Sequence, residues 1–173
     1  VFLRRASGPR PFFTQGRRHS MPAHTESPDA NATVRVDAPA DEMMPYLPLA
    51  LQADEAWPQC RPLFQALTGT ANDLSLREIR LIRYKPGRRC LIEYSVEYQN
   101  AGEKSHACSI LGKSRAKGLD RSTYQLMHTL WEGAFNERAE DGIFVPQPLG
   151  VAPAFNMWLQ RKIDGRVATS LLN

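Results

Sequence analysis

The chain has 173 residues, of which 42% are hydrophobic and 23% are charged, as in one soluble domain or one lobe of a larger protein. Its net charge of +4 comes from residues 1–20, which hold five arginines and no acid. The rest has 17 basic against 18 acidic side chains, a balance that argues against a nucleic-acid partner. Three cysteines without a CxxC pair argue against a disulfide framework and a zinc site.

The N-terminal region, residues 1–40, is rich in proline, serine, alanine and arginine and has no periodicity. We expect it to be a disordered basic leader. Met21 is a candidate natural start, and the alternative is that residues 1–20 are a transit peptide. No apolar run approaches the roughly 18 residues that cross a membrane, so we expect no membrane partner. The N-terminus has only a two-residue apolar patch, which disfavours a secretory signal, and the cysteines suit a reduced compartment, so we expect a cytoplasmic protein.

Residues 41–75 are predicted to be an N-terminal helical segment. Short helical turns interrupted by Pro45 and Pro48 are expected first, because proline ends or kinks a helix. A longer helix is expected from Trp57 to Leu67, where apolar residues recur at helical spacing. Gly69 then supplies a C-terminal cap.

Three strands are predicted next. The first spans residues 76–84 and ends in the turn signal of residues 85–88. The second has alternating apolar residues, which is typical of a half-buried strand, at Cys90, Ile92, Tyr94, Val96 and Tyr98. The third runs to about Lys113, so the three strands form an antiparallel meander.

A helix at about 119–134 and two further strands complete the prediction. Asp120 or Ser122 can cap the helix. Its apolar face consists of Tyr124, Met127, Leu130, Trp131 and Ala134. Strands are expected at 145–150 and 156–163. The predicted fold class for residues 76–165 is therefore α+β, a five-stranded antiparallel sheet crossed by one helix.

Four segments of the chain carry a family resemblance. They are Arg83-Tyr84-Lys85-Pro86-Gly87-Arg88-Arg89-Cys90-Leu91-Ile92-Glu93-Tyr94, Ser109-Ile110-Leu111-Gly112-Lys113, Val145-Pro146-Gln147-Pro148-Leu149-Gly150 and Leu159-Gln160-Arg161-Lys162-Ile163-Asp164-Gly165. In this order they resemble the N-terminal lobe of aminoglycoside phosphotransferase and choline-kinase-like proteins, which have a protein-kinase-like fold. The resemblance covers about 76–173, and it implies that 76–165 is the nucleotide-binding lobe and 166–173 the start of a second lobe.

The resemblance implies that this lobe binds ATP. Lys113 corresponds to the nucleotide lysine that reaches the phosphates from the third strand. Leu111 lies two residues earlier, so both side chains are expected on one face of the strand, with Leu111 against the adenine. Pro86, Gly87 and Arg88 form the turn that would cover the phosphates. Arg88 and Arg89 could add side-chain charge there, or they could equally be solvated turn residues.

The resemblance also implies a hinge that contacts the adenine edge through backbone groups. These groups belong to Arg161 and Ile163, and Gln160 guards the deep end of the pocket. In kinases a glutamate on the helix holds the nucleotide lysine. The only acid of this helix beyond its cap is Glu132, near the C-terminal end, which is a candidate partner or a solvated residue.

The catalytic residues of the family are not expected in this chain. The family's second lobe supplies the catalytic aspartate within an H-x-D motif. This chain has four histidines, and none of them is followed by an aspartate two residues later. They are His19, His24, His106 and His128. We therefore expect no catalytic residue and no metal ligand in the chain. Mg²⁺ is expected only together with the missing lobe.

Two functional hypotheses follow. In the first, the chain is the N-lobe fragment of an ATP-dependent phosphotransferase whose complete form phosphorylates a hydroxyl of a small molecule. The isolated lobe would be inactive, would bind ATP weakly, and could self-associate through its exposed inter-lobe face. In the second, it is a stand-alone nucleotide-sensing or partner-binding module without catalysis. A β-rich binding domain unrelated to kinases is a third, weaker alternative.

Overall fold

The computed structural model describes residues 39–69, 73–99, 104–140 and 142–163. Most of the predicted leader and the predicted start of a second lobe lie outside these ranges. The described helices are α1 (Leu47–Ala50), α2 (Ala53–Thr68), α3 (Arg121–Glu132) and a 3-10 turn (Pro153–Phe155); the strands are β1 (Asp73–Lys85), β2 (Arg89–Gln99), β3 (His106–Arg115), β4 (Pro148–Ala152) and β5 (Met157–Arg161). None of these helices is long and apolar enough to cross a membrane.

The five strands form one antiparallel sheet in the order β1-β2-β3-β5-β4. This confirms the predicted α+β class and the five-stranded antiparallel sheet. β1, β2 and β3 are joined by consecutive hairpins, whereas α3 separates β3 from the last two strands. β5 therefore pairs with β3, and β4 lies at the edge.

The sheet has two faces, because side chains alternate along each strand. The face that we call the core face carries buried residues of the three central strands: Cys90, Ile92, Tyr94, Val96, Ile110, Met157 and Leu159. The opposite face, which we call the lysine face, carries two cross-strand rows: Leu91, Lys113 and Trp158, and then Glu93, Leu111 and Gln160.

α1 and α2 cover the core face. Phe64 of α2 and Leu47 of α1 are fully buried in one cluster with the core face. The hydroxyl of Tyr94 donates a hydrogen bond of 2.9 Å to the carbonyl oxygen of Ala50, which ties the sheet to the end of α1. Gly69 ends α2 with a φ of +67°, as the sequence predicted for a C-terminal cap.

The start of α2 differs from the prediction. The helix begins at Ala53 rather than at Trp57, and it contains Pro58 and Pro62. Both prolines are on the exposed side of the helix. Each proline removes one backbone N–H. The apolar stripe ending at Phe64 packs on the sheet, and we infer that this burial outweighs the two lost hydrogen bonds.

α3 packs on the lysine face through Tyr124, whose ring centre lies 6.3 Å from that of Trp158. Asp120 caps the helix by accepting a hydrogen bond of 3.2 Å from the backbone N–H of Thr123, so Asp120 rather than Ser122 is the cap. α3 has no fully buried residue. α3 spans Arg121–Glu132, close to the predicted bounds of 119–134, but the sheet also packs against α1 and α2 on its other face.

The last two strands are shorter than predicted. β4 begins at Pro148 rather than at residue 145. Pro146 and Pro148 have no N–H to donate, which prevents regular pairing before that point. β5 begins at Met157, because Asn156 has the left-handed φ of +46° that closes the 3-10 turn. β1 begins at residue 73, three residues before the predicted boundary of the lobe.

Candidate functional site

Lys113 is the central cation of the lysine face. β3 places it between Leu91 on β2 and Trp158 on β5. Its Nζ atom lies 4.6 Å from the centre of the Trp158 ring, a cation–π contact. Burial lowers the pKa of Lys113, since desolvation disfavours the charged form. The described residues provide no carboxylate oxygen within 4.0 Å of this ammonium group.

Leu111 lies on the same face as Lys113, as their spacing predicted. It pairs with Glu93 on β2 and with Gln160 on β5, one row further from the 85–88 turn. Its side chain is half-buried. A flat apolar ligand could therefore stack on Leu111 while its charged part points toward Lys113.

Glu93 is a site residue that the sequence analysis missed. It lies on the face of β2 opposite the alternating apolar residues, but only 3% of it is exposed. Its carboxylate accepts hydrogen bonds of 2.7 Å from Arg80 and 2.6 Å from Lys162. Burial raises the pKa of Glu93, but the bonds from Arg80 and Lys162 outweigh it and hold the pKa below its usual value. Arg80 faces Glu93 across β1 and β2, which was the available signal.

The turn between β1 and β2 lies at the Lys113 end of the sheet. Gly87 has a φ of +61°, a conformation that glycine adopts readily. The backbone N–H of Arg88 donates to the carbonyl oxygen of Lys85 at 3.1 Å, and the carbonyl of Arg88 accepts from Ala116 at 3.0 Å. The side chain of Arg88 is exposed. The sequence predicted this turn but not its attachment to Asp41, which binds Gly87.

The predicted hinge begins at the end of β5. Gln160 is 5% exposed, and its Oε1 atom has no hydrogen-bond partner. The backbone N–H of Arg161 donates to the carbonyl of Gln147 at 2.8 Å, so this N–H is already bonded. The Arg161 side chain forms an ion pair with Glu137 at 2.8 Å. Ile163 is exposed at the end of the described residues.

Glu132 of α3 forms no ion pair with Lys113 in the described part of the chain. It is exposed at the end of α3 and lines an open groove of about 450 Å³ together with Trp131, Asn136, Glu137, Arg138 and Gln147. Neither Lys113 nor Leu111 lines this groove. The structure thus brings Lys113, Leu111 and Gln160 onto one face, places the turn at its end, and does not pair Glu132 with Lys113.

Among the described residues, no group of three histidine, cysteine or carboxylate side chains could hold a metal ion. Glu93, the buried carboxylate of the lysine face, is already neutralised by Arg80 and Lys162. Mg²⁺ prefers carboxylate and phosphate oxygens, and these residues do not assemble such a set.

Comparison with known proteins finds no significant match: no family model, no curated protein and no solved structure is similar to this chain.

Proposed function

We propose that the chain is the nucleotide-binding N-terminal lobe of an ATP-dependent phosphotransferase with a protein-kinase-like fold. The Lys113 ammonium carries the proposal. It is half-buried on the lysine face, and no carboxylate of the described chain lies within 4.0 Å of it. Desolvating an ammonium group costs free energy unless an anion compensates. The phosphates of ATP would supply that anion.

The residues around Lys113 could contact the adenine base of the same nucleotide. Leu111 is two positions away along β3, a separation of about 7 Å. A base that packs against Leu111 would direct its phosphates toward Lys113 and the turn of β1 and β2. The Oε1 atom of Gln160 has no hydrogen-bond partner and lies in the same cross-strand row as Leu111, so it offers a polar contact to the adenine base. The element order of three strands, a helix and two strands agrees with the order implied by the sequence resemblance.

This lobe would bind and orient the nucleotide rather than transfer its phosphate. Phosphoryl transfer depends on positioning the acceptor hydroxyl and the metal ions. The described residues provide cations and apolar contacts for the nucleotide, and they provide no metal-ligating carboxylate set. In the complete protein, Mg²⁺ and the hydroxyl substrate would therefore be held by a second lobe, and the acceptor is a small molecule.

Calorimetric titration with ATP and with adenosine tests the proposal. We expect ATP to bind with a Kd of roughly 0.1–1 mM, because only one lobe contributes contacts. Lys113→Met keeps the side-chain length and removes the charge, and it should weaken ATP binding at least about fivefold, which corresponds to about 1 kcal/mol. Adenosine binding should be unchanged. Lys117→Met, at an exposed lysine beyond β3, is the matched control. Equal ATP affinity in both variants would contradict the proposal.

A partner-binding module is the second candidate, and one feature favours it. Phe135 and Phe144 are 43% and 37% exposed. The hydrogen bond of 3.0 Å from the N–H of Val145 to the carbonyl of Phe135 brings the two segments together. Exposed aromatic residues of this kind mark interaction surfaces. Sedimentation of the double variant Phe135→Ser/Phe144→Ser tests it: loss of self-association without any change in ATP binding would identify this surface as an interface.

A further inference from the structure

The turn between β1 and β2 has no free backbone donor at its tip. Pro86 has no N–H. The N–H of Gly87 donates to Oδ2 of Asp41 at 2.8 Å, and the N–H of Arg88 donates to the carbonyl of Lys85 at 3.1 Å. Lys85, the last residue of β1, pairs with Arg89, the first residue of β2. An anion that approaches this turn therefore finds no unbonded N–H between Lys85 and Arg89.

Asp41 holds the turn from the side of the core face. The same oxygen that binds Gly87 also accepts a hydrogen bond of 2.8 Å from the hydroxyl of Tyr84. Tyr84 pairs with Cys90, which lies on the core face. The other oxygen, Oδ1, accepts from the N–H of Met43 at 3.0 Å, which fixes the carboxylate at the entrance to α1.

The lysine-face side of the turn carries cationic side chains instead. Arg89 pairs with Arg115 and precedes Leu91 by two residues, so Arg89 lies on the same face as Lys113. Arg88 and Arg89 are both exposed. Arg115 already forms an ion pair with Asp120 at 2.9 Å. Arg83 and Lys85 of β1 pair with Leu91 and Arg89, so the other described cations at this end of the lysine face are Arg83, Lys85, Arg89 and Lys113, with Arg88 in the adjoining turn.

We infer that Asp41 is a positioning residue for phosphate binding, because it fixes the turn from the core-face side while the side chains of Arg88, Arg89 and Lys113 contact the phosphates. This inference rests on the proposed function and deepens it. The turn contributes charge through its side chains and leaves its backbone N–H groups bonded within the protein. Guanidinium groups suit this role, since they form paired hydrogen bonds with phosphate oxygens. Without Asp41 the turn would keep its charge and lose its fixed orientation.

The experiment measures the affinities of the full chain for ATP and for adenosine in three proteins: the wild type, Asp41→Asn and Glu42→Gln. Both substitutions remove one negative charge. Asp41 is hydrogen-bonded to Gly87 of the turn and to Tyr84, whereas the side chain of Glu42 is exposed and makes no hydrogen bond to the described residues of the turn. Simple electrostatics predicts slightly tighter ATP binding in both variants. We expect Asp41→Asn to bind ATP about three- to tenfold more weakly than Glu42→Gln, with the affinity for adenosine unchanged.

Two further variants keep the test decisive. Tyr84→Phe removes one of the hydrogen bonds to Asp41, and it should weaken ATP binding by a smaller factor than Asp41→Asn does. It serves as the test if Asp41→Asn folds poorly. Arg89→Gln should weaken ATP binding about threefold or more and leave adenosine unaffected. If wild-type ATP binding depends on Lys113 but Asp41→Asn binds ATP as well as Glu42→Gln does, the inference on Asp41 is wrong and the proposed function stands. If the wild type binds neither ligand, both are wrong.

Discussion

The two faces of the sheet differ in whether their side chains are buried in apolar contacts or carry polar groups without a partner. On the core face, Ile92, Ile110 and Met157 are fully buried by α1 and α2. On the lysine face, Lys113 has no carboxylate partner among the described residues, and Oε1 of Gln160 has no hydrogen bond. Unsatisfied groups reduce stability, and they concentrate where proteins bind ligands. The comparison separates a face that stabilises the fold from the face that we propose binds the nucleotide.

The largest expected effect comes from paired substitutions on neighbouring residues of β3. Ile110→Ala removes a fully buried side chain from the core face and should lower the free energy of unfolding by about 3 kcal/mol. Leu111→Ala removes a half-buried side chain from the lysine face and should cost about 1 kcal/mol. Urea denaturation of both variants measures this difference. Equal losses would show that α3 or another segment covers the lysine face as fully as the core face.

Gly112→Ala should also destabilise the core face, by about 2 kcal/mol. A Cβ atom at Gly112 would lie 2.1 Å from the sulfur of Met157, whose side chain is fully buried and has little room to move. Met157→Val shortens that side chain, so the double variant should recover part of the loss. Thermal unfolding of the two single variants and the double variant gives the coupling energy. Strict additivity would mean that Met157 simply moves aside.

Glu93→Gln probes the buried carboxylate of the lysine face and should lower the free energy of unfolding by about 1–2 kcal/mol. This figure is smaller than for a fully buried ion pair, because Arg80 and Lys162 remain partly in water, with 49% and 35% of their side chains exposed. Urea denaturation at pH 7 measures it. The exposed pair of Arg77 with Glu97 offers a control, since Glu97→Gln should change the unfolding free energy much less.

The pH dependence of stability should follow the same carboxylate. The folded pKa of Glu93 is lowered, so the ionised group stabilises the fold above its unfolded pKa of about 4.3. That contribution is lost as the pH falls through the lower, folded pKa. Wild-type stability should therefore fall as the pH drops below about 4.3, and Glu93→Gln should show a shallower fall. Parallel curves for the two proteins would assign the acid sensitivity to other carboxylates, Asp41 among them, whose pKa the N–H of Gly87 lowers.

The core face was predictable from the sequence, whereas several contacts of the lysine face were not. The alternation of β2 identified Ile92 and Tyr94 as buried, because apolar periodicity is a local signal. The burial of Glu93 depends on Arg80 and Lys162, which are 13 and 69 residues away. Asp41 lies 46 residues from Gly87. Arg80 faces Glu93 across the predicted hairpin, which left a signal in the sequence, but the contacts of Lys162 and Asp41 depend on the three-dimensional arrangement and local patterns do not reveal them.

Methyl NMR during an ATP titration tests the central claim most directly, because it reads the two faces separately. Leu91 and Leu111 carry methyl groups on the lysine face, and Ile92 and Ile110 carry them on the core face, next to each other in the same strands. The account predicts that ATP shifts the methyl signals of Leu91 and Leu111, that Lys113→Met reduces these shifts, and that Ile92 and Ile110 change little. Shifts confined to Ile92 and Ile110, or no shifts with millimolar ATP, would contradict a nucleotide site on the lysine face.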